Sequence, residues 1–114
     1  MIKNYGDKKL SKTGSHRRAM FANMLSSLIM SEKVITTFPK AKELGRFMDK
    51  VISDAKKQRY SDVKSAVRNK IAFKKIIDVI APRYQSKSSG FTNIIKIGPR
   101  KGDASLMALI KMAD

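Results

Sequence analysis

The sequence predicts a small two-layer α+β domain, with three or four helices packed on a sheet of about three strands. Two observations carry this prediction. Apolar residues recur at three- and four-residue steps through most of residues 15–81, which is the helical period. Short β-branched or apolar runs bounded by turn residues occur at 34–38, 91–97 and 104–112, which indicates strands. With 114 residues, the chain can bury one modest core.

The first helix is predicted from Ser15 to Ile29, with Ser15 as its N-cap. One apolar stripe faces the core, and it is formed by Met20, Phe21, Met24, Leu25, Leu28 and Ile29. Val34 to Phe38 then predicts a strand, because β-branched residues dominate it. Thr37 and Pro39 mark the start of a second helix that runs to about Lys57.

A further helical pattern begins at Ser61, a predicted N-cap, and is expected to stop at Pro82. The spacing leaves open whether this stretch is one helix or two, with a break near Asn69. The last two runs, separated by residues 98–103 with two glycines and a proline, predict a hairpin with a long basic tip.

The charge indicates the partner. The chain has 25 Lys and Arg against 9 Asp and Glu, a net charge of +16, and such a molecule repels itself unless a polyanion neutralises it. Nucleic acid is therefore the leading partner. Residues 1–14 are predicted to form a basic N-terminal arm that binds a phosphate backbone, and residues 15–114 to form a single RNA-binding domain. The cations of the arm are Lys3, Lys8, Lys9 and Lys12.

The first turn of the first helix carries His16, Arg17 and Arg18, where the helix dipole disfavours cations. Free helix-start amides and two guanidinium groups together favour a phosphate site. A merely solvated pair of arginines is the alternative.

The loop from Arg83 to Phe91 and the hairpin tip are two further candidate contacts. Arg83, Tyr84 and Lys87 combine cations with an aromatic ring, which suits RNA because rings stack on unstacked bases. The sequence equally allows Tyr84 and Phe91 to cover the core. Arg100 and Lys101 supply the cations of the tip.

Several classes of function are disfavoured. The chain has no cysteine and one histidine, so thiolate sites and two-histidine metal sites are excluded. The segment from Gly98 to Gly102 lacks the Gly-Lys-Ser/Thr ending of a phosphate-binding loop. We therefore expect no catalytic residues, no cofactor, no metal and no small-molecule substrate. No apolar run is long enough for a bilayer span, so we expect a soluble, intracellular protein with no membrane partner.

Several stretches of the sequence resemble those of a known protein family. The run from Ser15 to Met24, then Ile35-Thr36-Thr37 and the run from Lys40 to Leu44, are similar to the bacterial large-subunit ribosomal protein seventeen family. In the second half, the matching stretches are Pro82-Arg83-Tyr84, Gly90-Phe91-Thr92, Ile95-Lys96, Arg100-Lys101-Gly102-Asp103 and Met107-Ala108.

The resemblance implies a structural constituent of the cytoplasmic large ribosomal subunit that binds and stabilises its rRNA near the nascent-chain exit, beside other ribosomal proteins. It implies no enzymatic activity and no cofactor. Carried onto this sequence, the RNA contacts are His16, Arg17, Arg18, Asn23, Thr36, Thr37, Lys40, Lys42, Arg83 and Arg100. A basic DNA-packaging or DNA-binding regulatory protein is the alternative from another class.

Overall fold

A computed structural model describes residues 14–114. The predicted arm, apart from Gly14, lies outside the described residues. The elements in chain order are α1 (Gly14–Ser31), β1 (Lys33–Thr37), α2 (Phe38–Lys56), α3 (Tyr60–Val67), α4 (Lys70–Lys75), a π-helical turn (Ile76–Ile80), α5 (Ala81–Arg83), β2 (Thr92–Pro99) and β3 (Leu106–Met112). Helices packed on a small sheet confirm the predicted α+β fold.

The three strands form one antiparallel sheet in the order β1-β3-β2, so the central strand is the last in sequence. Strand β3 alternates strictly. Its residues Ala108, Ile110 and Met112 are buried beneath the helices, whereas Leu109 lies on the outer face opposite Ile35 and Ile95. Successive side chains of a strand point to opposite faces, so this period of two places one face of the sheet against the helices.

Helix α2 lies closest to the sheet, and Gly45 explains how. A Cβ atom at this position would lie 3.2 Å from Thr92 Oγ1 and 3.6 Å from Ile110 Cδ1. Glycine costs a helix interior stability relative to alanine, but here it allows the helix backbone to approach β2 and β3. The core around α2 includes the fully buried residues Leu28, Ile29, Leu44, Met48, Ile52, Ile80, Phe91 and Ile110.

The stretch after α2 forms two separate helices, which answers the question the sequence left open. Arg68 ends α3 in the left-handed conformation (φ 68°), and Asn69 then caps α4 by accepting a hydrogen bond from the Ala72 N–H at 2.9 Å. The short polar side chain of Asn69 satisfies a helix-start amide at the break.

Three predicted boundaries are wrong. Pro82 does not stop the helix, because the π-helical turn before it changes the hydrogen-bond register and the helix continues to Arg83. Ser15 and Ser61 are not N-caps but lie inside their helices, since the described part of α1 is already helical at Gly14 and α3 begins at Tyr60 with Arg59 at its N-cap position. Thr37 does occupy the N-cap position of α2, in an extended conformation, with Pro39 in the first turn.

Candidate nucleic-acid interface

The first turn of α1 presents cations at the positive end of the helix. His16 and Arg18 are exposed, Arg17 is half-buried, and this turn contains no acidic residue. The helix dipole places partial positive charge at the same end, so the cations and the dipole repel one another and both attract an anion. The structure therefore brings together the predicted phosphate-site residues on one end of the molecule.

A cavity of about 360 Å³ opens beside this helix start, between α1, α2 and α3. The described residues that line it include no Asp or Glu. Its polar rim and aromatic wall are formed mainly by Arg17, Arg18, Phe21, Phe47, Ser65 and Arg68.

Two aromatic rings form the wall of this cavity. The ring centroids of Phe21 and Phe47 are 5.0 Å apart with an interplanar angle of 54°. Phe21 is buried and supports Phe47, which stays half-exposed. Tilted pairs of this kind are a favourable aromatic arrangement, so the outer ring is held in place.

Arg68 reaches the cavity from the end of α3. Its Nε donates a hydrogen bond to the Ser65 carbonyl oxygen at 3.4 Å, and its backbone has a positive φ of 68°. A non-glycine residue in this conformation is uncommon. The bend that ends α3 thus also directs a third guanidinium group toward the side of the molecule that carries Arg17 and Arg18.

A second cationic cluster surrounds Phe38 at the β1–α2 junction. Lys42 Nζ lies 5.4 Å from the centre of the Phe38 ring, and Lys96 Nζ lies 4.8 Å from it. Thr36, Thr37 and Lys40 are half-buried around the same junction. These predicted contact residues are therefore close together in space as well as in sequence.

Arg83 is held in an ion-pair cluster. Its guanidinium donates to both carboxylate oxygens of Glu32, at 2.7 and 3.0 Å, and Lys75 Nζ lies 3.0 Å from Glu32 Oε2. The hydrogen bonds from Arg83 and then Lys75 lower the pKa of Glu32 to about 2. The same ion pair raises the pKa of Arg83. Part of the Arg83 charge is therefore neutralised within the fold.

The hairpin tip shows a similar internal pairing. Arg100 binds Asp103 through Nε at 3.1 Å and through a terminal nitrogen at 2.6 Å, and it holds the pKa of Asp103 below its usual range. The Ser105 N–H also donates to Asp103, at 3.1 Å. Lys101, next along the turn, is exposed.

The predicted aromatic contact at Tyr84 needs correction. The Tyr84 side chain is 2% exposed, its hydroxyl donates to the Ala113 carbonyl, and its ring packs 5.4 Å from that of Phe91. A ring that is covered on its faces cannot stack on a base, so Tyr84 belongs to the core, as the alternative interpretation held. Lys87 is half-buried, and its carbonyl accepts a hydrogen bond from Lys56.

Of the remaining predicted contacts, one lies in the described residues and four do not. Asn23 is exposed on α1. The four lysines of the arm, Lys3, Lys8, Lys9 and Lys12, lie outside the described residues.

Sequence reasoning missed the residues that depend on the packing of separate elements. Phe47 and Arg68 join Arg17 only because α2 and α3 pack beside α1, and no sequence pattern indicates that. Lys96 reaches Phe38 across the sheet. Phe21 was predicted only as a core residue. Its position four residues after Arg17 and three after Arg18 does indicate that it lies beside them on α1.

Residues 14–114 offer neither a metal site nor a membrane-spanning helix. They contain no group of three or more His, Cys, Asp or Glu side chains arranged to hold a metal ion. None of their helices combines the length and the apolarity needed to cross a bilayer.

The fold and the surface define a small, basic α+β protein, and comparison with known proteins gives its class as a ribosomal protein. The family model of ribosomal protein L17 matches residues 20–113. The chain belongs to this family.

The relatives agree over almost the whole length. The chain is 47% identical to the large ribosomal subunit protein bL17 of Elusimicrobium minutum (strain Pei191), over 100% of both chains. It is 40% identical to the protein of that name from Endomicrobium trichonymphae, over 98% of both chains. It is 44% identical to that of Hyphomonas neptunium (strain ATCC 15444), over 94% of this chain and 79% of the relative.

Family membership confirms the resemblance seen in the sequence. The protein is a structural component of the large ribosomal subunit rather than an enzyme, and its location is the cytoplasmic ribosome. Association with rRNA and other ribosomal proteins follows from this membership.

Proposed function

We propose that this protein binds large-subunit rRNA directly and stabilises its folded structure near the nascent-chain exit region. The observation that supports the proposal best is the start of α1. There His16, Arg17 and Arg18 lie at the positive end of a helix dipole, in a first turn without an acidic residue. The dipole by itself disfavours cations at a helix start and favours a phosphate there, and the cations also attract phosphate.

The mechanism is electrostatic. Folded RNA concentrates phosphates, and their mutual repulsion opposes compaction. A protein with a net charge of +16 replaces condensed counterions, and their release into solution favours binding. A rigid α+β scaffold also fixes where the cations lie, so it favours one arrangement of the RNA segments that it contacts.

The proposed contacts occupy four described surfaces and the N-terminal arm. The surfaces are the first half of α1, the β1–α2 junction, the end of α5 with the loop that follows it, and the hairpin tip at the opposite end of β2 from that loop. The contact residues are Lys3, Lys8, Lys9, Lys12, His16, Arg17, Arg18, Asn23, Thr36, Thr37, Lys40, Lys42, Arg83, Lys87, Arg100 and Lys101.

Salt dependence tests direct binding. The affinity of the full chain for deproteinised large-subunit rRNA is measured by filter binding over a series of salt concentrations. We expect it to fall steeply, with a slope that reports the number of phosphates neutralised. A flat response would contradict the proposal. Competition with random duplex DNA tests the DNA-binding alternative, which predicts that the duplex displaces rRNA.

Charge reversal tests the proposed surface. We expect Arg17→Glu with Arg18→Glu to abolish incorporation into large subunits while the isolated fold is retained. The matched control is Lys57→Glu with Lys70→Glu, which makes the same change in net charge at exposed residues outside the proposed contacts. Equal effects of the two double variants would show that only net charge matters.

The position near the exit is tested with a tethered cleavage reagent. The chain has no cysteine, so Asn23→Cys creates a unique attachment point for an iron chelate on an exposed residue of α1. We expect hydroxyl radicals to cleave rRNA close to the exit in reconstituted subunits. Cleavage confined to RNA on the face that meets the small subunit would contradict this placement.

The outer face of the sheet is the surface that we assign to a neighbouring ribosomal protein. Ile35, Leu109 and Ile95 lie opposite one another across the three strands, and Ile35 and Ile95 are exposed. An aliphatic row suits a protein partner better than RNA, which offers phosphates, riboses and bases. We expect Ile35→Lys to weaken assembly of a neighbouring protein without reducing affinity for deproteinised rRNA.

A further inference from the structure

The tip of the hairpin between β2 and β3 is closed by its own backbone. The Arg100 N–H donates to the Ser105 carbonyl oxygen at 2.7 Å, and the Ala104 N–H donates to the Arg100 carbonyl oxygen at 2.9 Å. Ala104 has a positive φ of 57°, a conformation that is uncommon for a residue other than glycine. The Arg100 side chain therefore extends from a turn with a defined shape.

Asp103 fixes the direction of that side chain. Its Oδ1 accepts hydrogen bonds from the Ser105 N–H and from Arg100 Nε, both at 3.1 Å, and its Oδ2 accepts one from Arg100 Nη2 at 2.6 Å. Asp103 thus holds one side of the planar guanidinium. The end of the guanidinium, formed by Nη1 and the second N–H of Nη2, is not used by Asp103. Arg100 is exposed, so this end offers two adjacent donors to a ligand.

The charge of the pair favours a base over a phosphate as that ligand. Arg100 and Asp103 together carry no net charge. A phosphate at the free end of the guanidinium would lie close to the Asp103 carboxylate, whose repulsion would cancel much of the attraction. A base edge is neutral and requires only donors at the right spacing.

Guanine is the base whose edge matches two adjacent donors. Its N7 and O6 are both acceptors, and arginine binds them in a bidentate contact. Adenine presents N7 beside an amino group, whose hydrogens would face the N–H donors of arginine. Unpaired bases expose this edge, whereas the deep, narrow major groove of an RNA helix hides it.

We propose that the hairpin tip recognises one unpaired guanine of the rRNA, with Arg100 donating to its N7 and O6 and Asp103 as the residue that positions Arg100. The inference rests on the proposed rRNA binding and adds base specificity to it. Lys101, the next residue, is exposed and contacts the RNA backbone beside this guanine. The tip thus assigns base recognition and phosphate binding to different side chains.

Removing the pair without changing net charge is the main test. The double variant Arg100→Gln with Asp103→Asn removes one cation and one anion. Its matched control is Lys74→Gln with Asp78→Asn, an exposed ion pair outside the proposed contacts whose carboxylate side chain is 52% exposed, as is that of Asp103. We expect the double variant to bind deproteinised large-subunit rRNA about tenfold more weakly than wild type, the effect of losing one bidentate base contact, and the control to bind within about twofold of it. Thermal unfolding of both variants checks the fold.

The salt dependence of this binding separates a base contact from a phosphate contact. We expect the double variant to keep the wild-type slope of log affinity against log salt, because contact with a neutral base releases no counterion. Lys101→Gln is expected to lower the slope by about 0.7–0.9. If the double variant lowers the slope as Lys101→Gln does, Arg100 contacts phosphate or the tip has lost its shape, and the proposal is overturned.

The single substitution Asp103→Asn tests the positioning role by the sign of its effect. It removes a negative charge from a protein that binds a polyanion, so electrostatics alone predicts higher affinity. We expect lower affinity with a slope that is unchanged or steeper, because Arg100 loses the partner that fixes its direction. Asp78→Asn makes the same change in charge and is expected to keep affinity unchanged or raise it. An increase for Asp103→Asn would overturn the positioning role.

Chemical probing of the bound rRNA identifies the contacted atom. Dimethyl sulfate methylates guanine at N7, so a bound arginine protects that atom. We expect wild type to protect the N7 of a guanine that the double variant leaves reactive. If wild type protects no guanine N7, or if both proteins protect the same guanines, the proposal is overturned.

A failure of the guanine contact is distinguishable from a failure of the proposed function. If wild type binds rRNA with steep salt dependence and the double variant binds equally well, the guanine contact is wrong and rRNA binding stands. If wild type fails to bind rRNA at low salt, rRNA binding itself is wrong.

Discussion

The two ends of α1 use positive charge in opposite ways. At the N-terminal end, Arg17 and Arg18 lie on a helix turn without acidic residues, beside a cavity whose described lining contains none. Just beyond the C-terminal end, Arg83 and Lys75 converge on Glu32. The second end contains its own anion, whereas the first end presents cations in a turn that has no carboxylate of its own.

The helix dipole gives the two ends of α1 opposite preferences for positive charge. Cations are unfavourable at a helix start and favourable at a helix end. Lys75 follows the favourable rule, because its Nζ lies 3.2 Å from the carbonyl oxygen of Met30 in the last turn. The C-terminal end therefore follows the preference of the dipole, whereas the N-terminal end places cations where the dipole disfavours them and favours a phosphate. A high net charge alone does not show which cations bind.

The largest effect is expected at the N-terminal end. Arg18→Glu should reduce rRNA affinity by about tenfold or more, since it replaces an attraction to phosphate with a repulsion. The same substitution should leave the free energy of unfolding unchanged or raise it by about 0.3–1 kcal/mol, because an acidic residue suits a helix start. Filter binding and chemical denaturation measure the two effects. A loss of stability as large as the loss of affinity would contradict a binding role.

For Glu32→Gln we expect stability to fall while rRNA affinity is kept, which is the opposite of the result for Arg18→Glu. The bidentate Arg83 pair and Lys75 both lose their partner, but the Glu32 side chain is 36% exposed, so solvent screening limits the cost. We expect the free energy of unfolding to fall by about 1 kcal/mol. Affinity for rRNA should stay the same or increase slightly, since the freed guanidinium can face phosphate. Reduced affinity would show that Glu32 positions an RNA contact.

The pH dependence of stability gives an independent check on Glu32. Its pKa falls from 4.5 to about 2 on folding, so the ionised form is favoured in the native state. The stabilisation is complete above pH 4.5 and is lost as the pH falls toward 2. The difference in unfolding free energy between wild type and Glu32→Gln should therefore shrink across this interval. A constant difference would contradict the ion-pair explanation.

The smallest effect is expected at Asp49, whose main contact among the described residues is a backbone hydrogen bond. Asp49 accepts a hydrogen bond from the Phe91 N–H at 3.1 Å, and burial raises its pKa. A raised pKa means that the ionised form is disfavoured in the fold, so stability decreases as the pH rises through it. Asp49→Asn keeps an acceptor oxygen and loses this penalty. We expect thermal stability at neutral pH to be unchanged or slightly higher, and a clear decrease would show that the charge itself is needed.

The sequence predicted local features well and contacts between distant elements poorly. The apolar spacing from Met20 to Ile29 is enough to predict α1, and the run from Val34 to Thr37 is enough to predict β1. The continuation of the helix past Pro82 depends on a π-helical turn that has no sequence signature here.

In the candidate nucleic-acid interface, too, only residues that are adjacent in the chain could be predicted. His16, Arg17 and Arg18 were predicted because they are adjacent in the chain. Phe47 and Arg68 were not, since only the packing of α2 and α3 brings them to α1. The neutralisation of Arg83 could not be predicted either, because Glu32 is 51 residues away.

One comparison tests the central claim most directly: the salt dependence of rRNA binding for Arg18→Gln and Arg83→Gln, each against wild type. Each substitution removes one positive charge. We expect the slope of log affinity against log salt to fall by about 0.7–0.9 for Arg18→Gln, the value for one phosphate contact, and by less than half of that for Arg83→Gln. Equal reductions in slope, or a larger one for Arg83→Gln, would contradict the central claim.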